Sequence, residues 1–156
     1  MTSAESNIVV HIGASITEIT VTRDGGLVYS QSVRVGRDAM DQAIVTHVKR
    51  THGLEIATPT AGQIRAWLGG AYALEPRGSM QLTSTVALNS DEIHDALVEP
   101  MNALLEAVLL AQSRMPSEVA ADVLQNGIVF RGGVPLKDFD LLVHYKTRLP
   151  VTTRED

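Results

Sequence analysis

The sequence predicts an α/β domain built on a mixed sheet, and three observations predict it. Three consecutive β-type segments open the chain, joined by turn signals. Helical apolar spacing takes over from residue 37. Strand and helix patterns then alternate toward the end, so the order begins βββαβ and closes on an α/β alternation.

Residues 7–12 are a nearly continuous apolar run, which predicts a strand buried on both faces. Residues 17–23 alternate, with Ile19 and Val21 on one side and Thr20 and Thr22 on the other. "RDGGLV" supplies Asp-Gly-Gly, a hairpin turn signal, and residues 27–35 form the third strand of an antiparallel meander. A helix follows from Arg37 to Thr51. Met40, Ala43, Ile44, His47 and Val48 fall at helical spacing, Asp38 suits the positive end of the helix dipole, and Gly53 is the stop signal.

Residues 57–88 differ in texture and read as a small α+β insertion. Thr60 precedes a short helix, Ala61–Leu68, ended by Gly69 and Gly70. Two short strands near 71–76 and 80–88 are expected, with Arg77 and Gly78 between them. The clearest helix is 91–113, with Ser90 as its N-cap and Asp91 and Glu92 in its first turn. Ile93, Leu97, Met101, Leu104 and Val108 form its apolar stripe, and Pro100 is expected to kink or break it. A short helix at 117–123, a strand at 127–131, a helix at 136–147 and a strand around Leu149–Val151 complete the reading. Residues 1–6 and 152–156 are expected to be loose tails.

A length of 156 residues suits one domain with a substantial core. Eighteen acidic against 13 basic residues give a formal net charge of -5, which argues against sequence-independent nucleic-acid binding. The absence of cysteine excludes disulfides and thiol catalysis and fits a reducing compartment. The longest apolar stretch, Ala103–Ala111, contains Glu106 and falls short of the ~20 residues of a spanning helix. The opening MTSAESN lacks the basic start and apolar centre of a signal peptide. A cytoplasmic protein is therefore expected.

"VVHIGASITEITV", residues 9–21, carries the sharpest functional question. Nucleotide-binding proteins often place a carboxylate before a turn filled with glycines. Here His11 holds the carboxylate position and the turn reads Gly13, Ala14, Ser15, Ile16. The alternatives are a weakened phosphate loop, with Ser15 or Thr17 still hydrogen-bonding, and a plain β-turn. The five histidines show no metal-ligating pattern. His47 and His52 are five apart, which places them on different sides of a helix, and His94 and His144 lie in separate helices. Asp91, Glu92, Asp95 and Glu99 read as a solvated helix face. Trp67, the only Trp, either packs within the small insertion or belongs to a contact surface.

Five segments in register give a resemblance. "HIGASITEITV", "SVRVGRDAMDQAIVTHVKR", "TAGQIRAWLG", "SDEIHDALVEPMNALLEAV" and "PSEVAADVLQNGIVFRGGVPLKDFD…RLPV" resemble consecutive segments of the bacterial actin-like MreB/Mbl family. The likeness covers roughly residues 7–151 and only the second half of that family's length. It implies an RNase H-like core of an actin-like ATPase fold over 7–56 and 89–151, with 57–88 as the smaller inserted subdomain.

The same resemblance implies a nucleotide site in decline. The family hairpin reads Asp-Ile-Gly-Gly-Gly-Thr-Thr-Glu, against His11-Ile12-Gly13-Ala14-Ser15-Ile16-Thr17-Glu18 here. His11 replaces the magnesium-linked aspartate, and an imidazole is a poor magnesium ligand. The family's Thr-Gly-Gly-Gly-Ala becomes Arg131-Gly132-Gly133-Val134-Pro135. Gly62 and Gln63 stand where the family has an acidic residue, while Arg65 keeps the basic position. The vestigial site would comprise Gly13, Ser15, Thr17, Arg65, Gly132 and Gly133, with no catalytic residue and no metal ligand. No cofactor is expected; ATP and magnesium would bind only as a weak remnant.

The function implied is a non-enzymatic accessory or scaffold of a cytoskeleton serving cell shape and cell-wall synthesis. Its partners would be a full-length MreB-type protein and cell-wall synthesis proteins, reached at the inner face of the membrane without direct membrane insertion. Self-association is left open. The alternative, of another class, is a small nucleotide-binding regulator or residual ATPase using Gly13, Thr17, Gly132 and Gly133.

Overall fold

Seven strands and five helices make up the described part of the computed structural model, residues 6–72 and 78–154. The opening meander is β1 (Ile8–Ile12), β2 (Thr17–Arg23) and β3 (Gly26–Val33). The β2–β3 loop is two residues long. Asp24 (φ 55°) and Gly25 (φ 76°) both adopt positive φ, as a type I′ turn requires, and this closes the hairpin where Asp-Gly-Gly predicts it.

Helix α1 (Arg37–His52) ends on Gly53, whose φ of 70° makes the left-handed C-cap. Helix α2 spans Thr58–Leu68. It starts before the expected Ala61 because Pro59 sits in its first turn, where a missing N–H costs nothing. Strands β4 (Ser79–Gln81) and β5 (Ala87–Asn89) pair antiparallel, so their connection is 82–86 rather than Arg77-Gly78. The Leu82 and Thr83 N–H groups both donate to Val86 O, which fixes that turn. Of the strand expected near 71–76, residues 73–77 lie outside the described residues; Gly70 makes a single parallel bridge with Lys137.

Helix α3 (Ser90–Ser113) runs through Pro100 without a break. The stripe Ile93, Leu97, Met101, Leu104 and Val108 is buried on both sides of the proline, so packing offsets the missing backbone bond. Its N-cap is Asn89, not Ser90. The Asn89 side chain accepts from the Glu92 N–H, and the Glu92 carboxylate accepts from the Asn89 N–H, a complete capping box. Ser90 is instead a buried helical residue whose Oγ accepts from the Gly78 N–H.

The chain then forms α4 (Ser117–Asn126), β6 (Ile128–Arg131), α5 (Phe139–Thr147) and β7 (Val151–Arg154). Helix α5 begins three residues later than expected, because Asp138 takes a φ of 65°. Residues 152–154 are not loose. They pair parallel with β6, Val129 opposite Thr152 and Arg131 opposite Arg154.

The five-stranded sheet has the order β3-β2-β1-β6-β7, antiparallel within the meander and parallel from β1 onward. Ile8, Val10, Ile12, Ile19, Val21, Ile128 and Phe130 point from one face into a continuous core shared with residues of all five helices. Strand β1 is therefore not buried on both faces: Val9 is half-buried and His11 exposed. Ala61, Ile64 and Leu68 of α2 and Leu88 of β5 belong to the same core.

Candidate functional site

The β1–β2 connection is closed by the Gly13 N–H donating to Ile16 O at 2.9 Å. A Cβ on Gly13 would come within 2.7 Å of that carbonyl, so only glycine fits. The loop turns its carbonyls toward the start of α1. Gly13 O accepts from the Arg37 N–H (3.0 Å) and Ala14 O from the Asp38 N–H (2.8 Å). They satisfy the orphan donors that Gly36, the N-cap residue without a side chain, leaves open. Gly36 is itself required, because a Cβ there would meet Gly13 O at 2.3 Å. Arg37 Nη1 donates to Ile12 O at 2.6 Å. Thr17 is fully buried and its hydroxyl donates to Val35 O at 2.7 Å. Gly13 and Thr17 thus dock the hairpin on α1, while Ser15 stands exposed at the tip.

The second loop follows β6. Parallel pairing places His11 opposite Arg131, and a Cβ on the next residue, Gly132, would lie 3.5 Å from His11 Nε2. Gly132 and Gly133 have φ of 81° and 83°, so the bend expected from the surviving glycines is present. Both of their N–H groups donate to Arg154 O, at 2.8 and 3.1 Å. His11 and Arg131 also line a shallow recess of about 310 Å³ with Val9, Glu18 and Thr20, on the sheet face away from the core.

Arg65 reaches this loop from α2. Its Nε donates to Asp41 Oδ1 at 2.7 Å and its Nη1 to Pro135 O at 3.0 Å. Sequence reasoning missed Asp41, a buried acid set between Met40 and Ile44; a charge adjoining an apolar stripe was the available signal. It missed Gly36 as well, whose cue is a glycine immediately before a helix. Of the expected set, Gly13 and Thr17 group at the hairpin, and Arg65, Gly132 and Gly133 group around residues 131–135. The His11–Gly132 approach links the two groups, and Ser15 lies in the same hairpin as Gly13 and Thr17 but stands exposed. Trp67 is 76% exposed beside Gln63, Ser79 and Met80, so it is not a core residue.

Two histidines depart from expectation. His47 and His52 do not diverge around α1; both reach Glu92, with Nε2 to Oε1 distances of 2.6 and 2.7 Å. Their different azimuths are overcome because His52 is the last helical residue and both imidazoles are long enough to meet at the start of α3. Glu92 is accordingly not part of a solvated face: its side chain is 16% exposed. Burial pushes its carboxyl up, but the hydrogen bonds from His47, His52 and the Asn89 N–H, with the charge of His52, outweigh burial and hold it below the ordinary carboxylate range. His94 and His144 each place Nδ1 on a backbone carbonyl, Gly70 O at 2.9 Å and Leu149 O at 2.6 Å.

A family model described as MreB/Mbl protein matches residues 1–156. The chain belongs to the MreB/Mbl family. It is 37% identical over 166 residues to the cell shape-determining protein MreB of Escherichia coli (strain K12), covering 100% of this chain and 48% of that protein. It is 29% identical over 160 residues to the cell shape-determining protein Mbl of Bacillus subtilis (strain 168), covering 96% and 48%. The chain spans about half the length of the curated relatives it matches. Among solved structures, MreB5 of Spiroplasma citri bound to ADP superposes with a TM-score of 0.86 over 97% of this chain and 49% of that one, at 21% identity. A MamK double helical filament gives 0.74 over 96% and 50%, also at 21% identity. The actin-like fold expected from the sequence is the fold observed.

Within this MreB/Mbl chain, the Gly13, Gly132 and Gly133 N–H groups and the Thr17 hydroxyl are directed at protein carbonyls, while Ser15 is exposed. Among the described residues, no helix is long and apolar enough to cross a membrane.

Proposed function

We propose that this MreB/Mbl chain acts in the cell-shape cytoskeleton as a non-enzymatic actin-like scaffold that does not hydrolyse ATP. It would work by binding a full-length MreB-type protein or cell-wall synthesis proteins, at the inner face of the membrane through those partners. One observation carries the reading: the glycine N–H groups of both loops and the Thr17 hydroxyl are engaged internally. The Gly132 and Gly133 N–H groups share Arg154 O, the Gly13 N–H is on Ile16 O, and the Thr17 hydroxyl is on Val35 O. A phosphate clasp works by aiming unpaired backbone N–H groups at the anion. Here each of these four donors would first have to leave a protein carbonyl. Arg65 is likewise held by Asp41 and Pro135, and His11 offers magnesium a nitrogen where a hard cation prefers oxygen.

Two measurements on the purified chain test this. ATP turnover and magnesium-dependent ATP binding are expected to be absent, and the chain is expected to co-sediment with full-length MreB polymer. Turnover that is abolished by altering Ser15 or Thr17 would overturn the non-enzymatic reading in favour of a residual ATPase. Magnesium-dependent nucleotide binding without co-sedimentation would favour a nucleotide-binding regulator instead.

A further inference from the structure

We propose that His47, His52 and Glu92 form a divalent transition-metal site, suited to Zn2+, that ties the end of α1 to the start of α3. The three side chains each offer one ligand atom, and these atoms lie within 4.8 Å of one another. They come from two helices that share no local sequence: His47 and His52 from the last two turns of α1, and Glu92 from the first turn of α3.

The donor set selects the ion. Two imidazole nitrogens and one carboxylate oxygen suit zinc, which takes His and Asp/Glu ligands at about 2.0–2.2 Å in tetrahedral geometry. Magnesium and calcium, which require mostly oxygen, are poorly served. Ligand atoms around a tetrahedral zinc are separated by roughly 3.3 Å. The two nitrogens now sit 2.6 and 2.7 Å from Glu92 Oε1 and within 4.8 Å of each other. An ion therefore enters if each nitrogen–oxygen separation widens by roughly 0.6–0.7 Å and the imidazoles adjust to a similar spacing. They have room to do so, being 19%, 22% and 16% exposed.

The carboxylate is already oriented. Its Oε2 accepts from the Asn89 N–H at 3.1 Å, which leaves Oε1 directed at the two imidazoles. This is the arrangement in which an outer hydrogen bond fixes a ligand before the metal arrives. On the other side of His47, Nδ1 lies 3.4 Å from Thr51 Oγ1, a weak contact on the same turn of helix. His47 also lines a groove of about 600 Å³ between α1 and α3, so solvent reaches the site and a water can complete the fourth position. Arg50, Asp95 and Glu99 line the same groove. The other histidines are not competitors of this kind. His94 and His144 hold backbone carbonyls, and His11 stands alone beside Gly132.

A bound ion would act as a cross-link between helix ends and stabilise the folded chain by mass action. The test is titration of metal-free full chain with ZnCl2 and, for its absorption, CoCl2. Expected results are one ion bound per chain, a Co2+ spectrum of tetrahedral intensity, and a melting midpoint that rises with zinc but not with magnesium. Removing a ligand should cost at least what losing an outer-shell partner costs, so His47→Ala and His52→Ala should each weaken zinc binding by about tenfold or more. His11→Ala should bind as the unaltered chain does. Glu92→Gln decides the matter if a histidine variant fails to fold, because glutamine can still serve the capping box; it should melt cooperatively yet bind zinc about tenfold more weakly or worse. Lack of zinc uptake by the unaltered chain at about 100 μM would overturn the proposal, and so would undiminished uptake by Glu92→Gln or by the two histidine variants. Either result would leave His47, His52 and Glu92 as a hydrogen-bonded clasp only.

Discussion

Asp41 Oδ1 accepts the Arg65 Nε–H at 2.7 Å, joining α1 to α2 through side chains that are 9% and 15% exposed. The same guanidinium holds Pro135 O, so one residue ties two helices to the loop after β6. Breaking a pair this well buried leaves an uncompensated charge. Arg65→Ala should therefore lower unfolding stability by about 3 kcal/mol, read as a drop in the urea midpoint. The double variant Asp41→Leu/Arg65→Met should lose less than Arg65→Ala, since a matched apolar pair strands no charge. An unchanged midpoint for Arg65→Ala would show that the pair contributes nothing to the fold.

Gly36 makes a sharper steric prediction. Its φ of -147° suits any residue, so the constraint is contact alone. An alanine Cβ would sit 2.3 Å from Gly13 O and 2.6 Å from Ala14 O, both backbone atoms that cap α1. Gly36→Ala should displace the hairpin and cost about 2 kcal/mol or more. Gly26→Ala is the control, because its Cβ would meet only Arg23 O at 3.5 Å. It should leave the thermal midpoint unchanged or slightly raised. Equal effects at the two sites would refute the close approach.

The start of α3 separates two neighbours with different duties. Asn89 caps the helix, whereas Ser90 Oγ accepts from Gly78 N–H at 3.0 Å. Asn89→Ala should cost about 1 kcal/mol, and Asn89→Asp should restore most of it. Ser90→Ala should instead leave the Gly78 amide without its side-chain acceptor. Faster hydrogen exchange at Gly78, with the amide of Glu92 still protected, is the expected signature. Loss of Glu92 protection in Ser90→Ala would assign the cap to Ser90 after all.

What local chemistry dictates was legible, and what distant segments supply was not. The Asp24-Gly25 turn, the Gly53 stop and the stripe from Ile93 to Val108 all rest on neighbours within one or two turns, and each stands in the structure. The actin-like fold was legible through resemblance. Errors arose where partners come from afar. Pro100 was expected to disrupt α3, but burial of Leu97, Met101 and Leu104 keeps the helix intact. His11 and Val9 broke the forecast of a strand buried on both faces. At the candidate site, the glycines were visible in the sequence. The fate of their N–H groups was not, since Arg154 lies 21 positions beyond Gly133. The meeting of His47 and His52 at Glu92 spans 40 residues or more, and helical azimuth alone pointed the wrong way.

Glu92 gives a prediction in pH, to be measured with chelator present so that metal plays no part. Its carboxyl is held below the ordinary range by His47, His52 and the Asn89 N–H despite burial. In the unfolded chain a Glu titrates near about 4.3. Near that pH the unfolded state therefore binds more protons than the folded state, so stability rises with pH there. The contribution is fully present above the unfolded value and is lost as pH falls through the lowered folded value. Glu92→Gln removes the titrating group while keeping a capping side chain. Urea midpoints of the unaltered chain should fall from about pH 5 downward more steeply than those of Glu92→Gln, and the two curves should converge in acid. Curves that stay parallel across this range would mean that the histidines do not stabilise the Glu92 carboxylate in the folded chain.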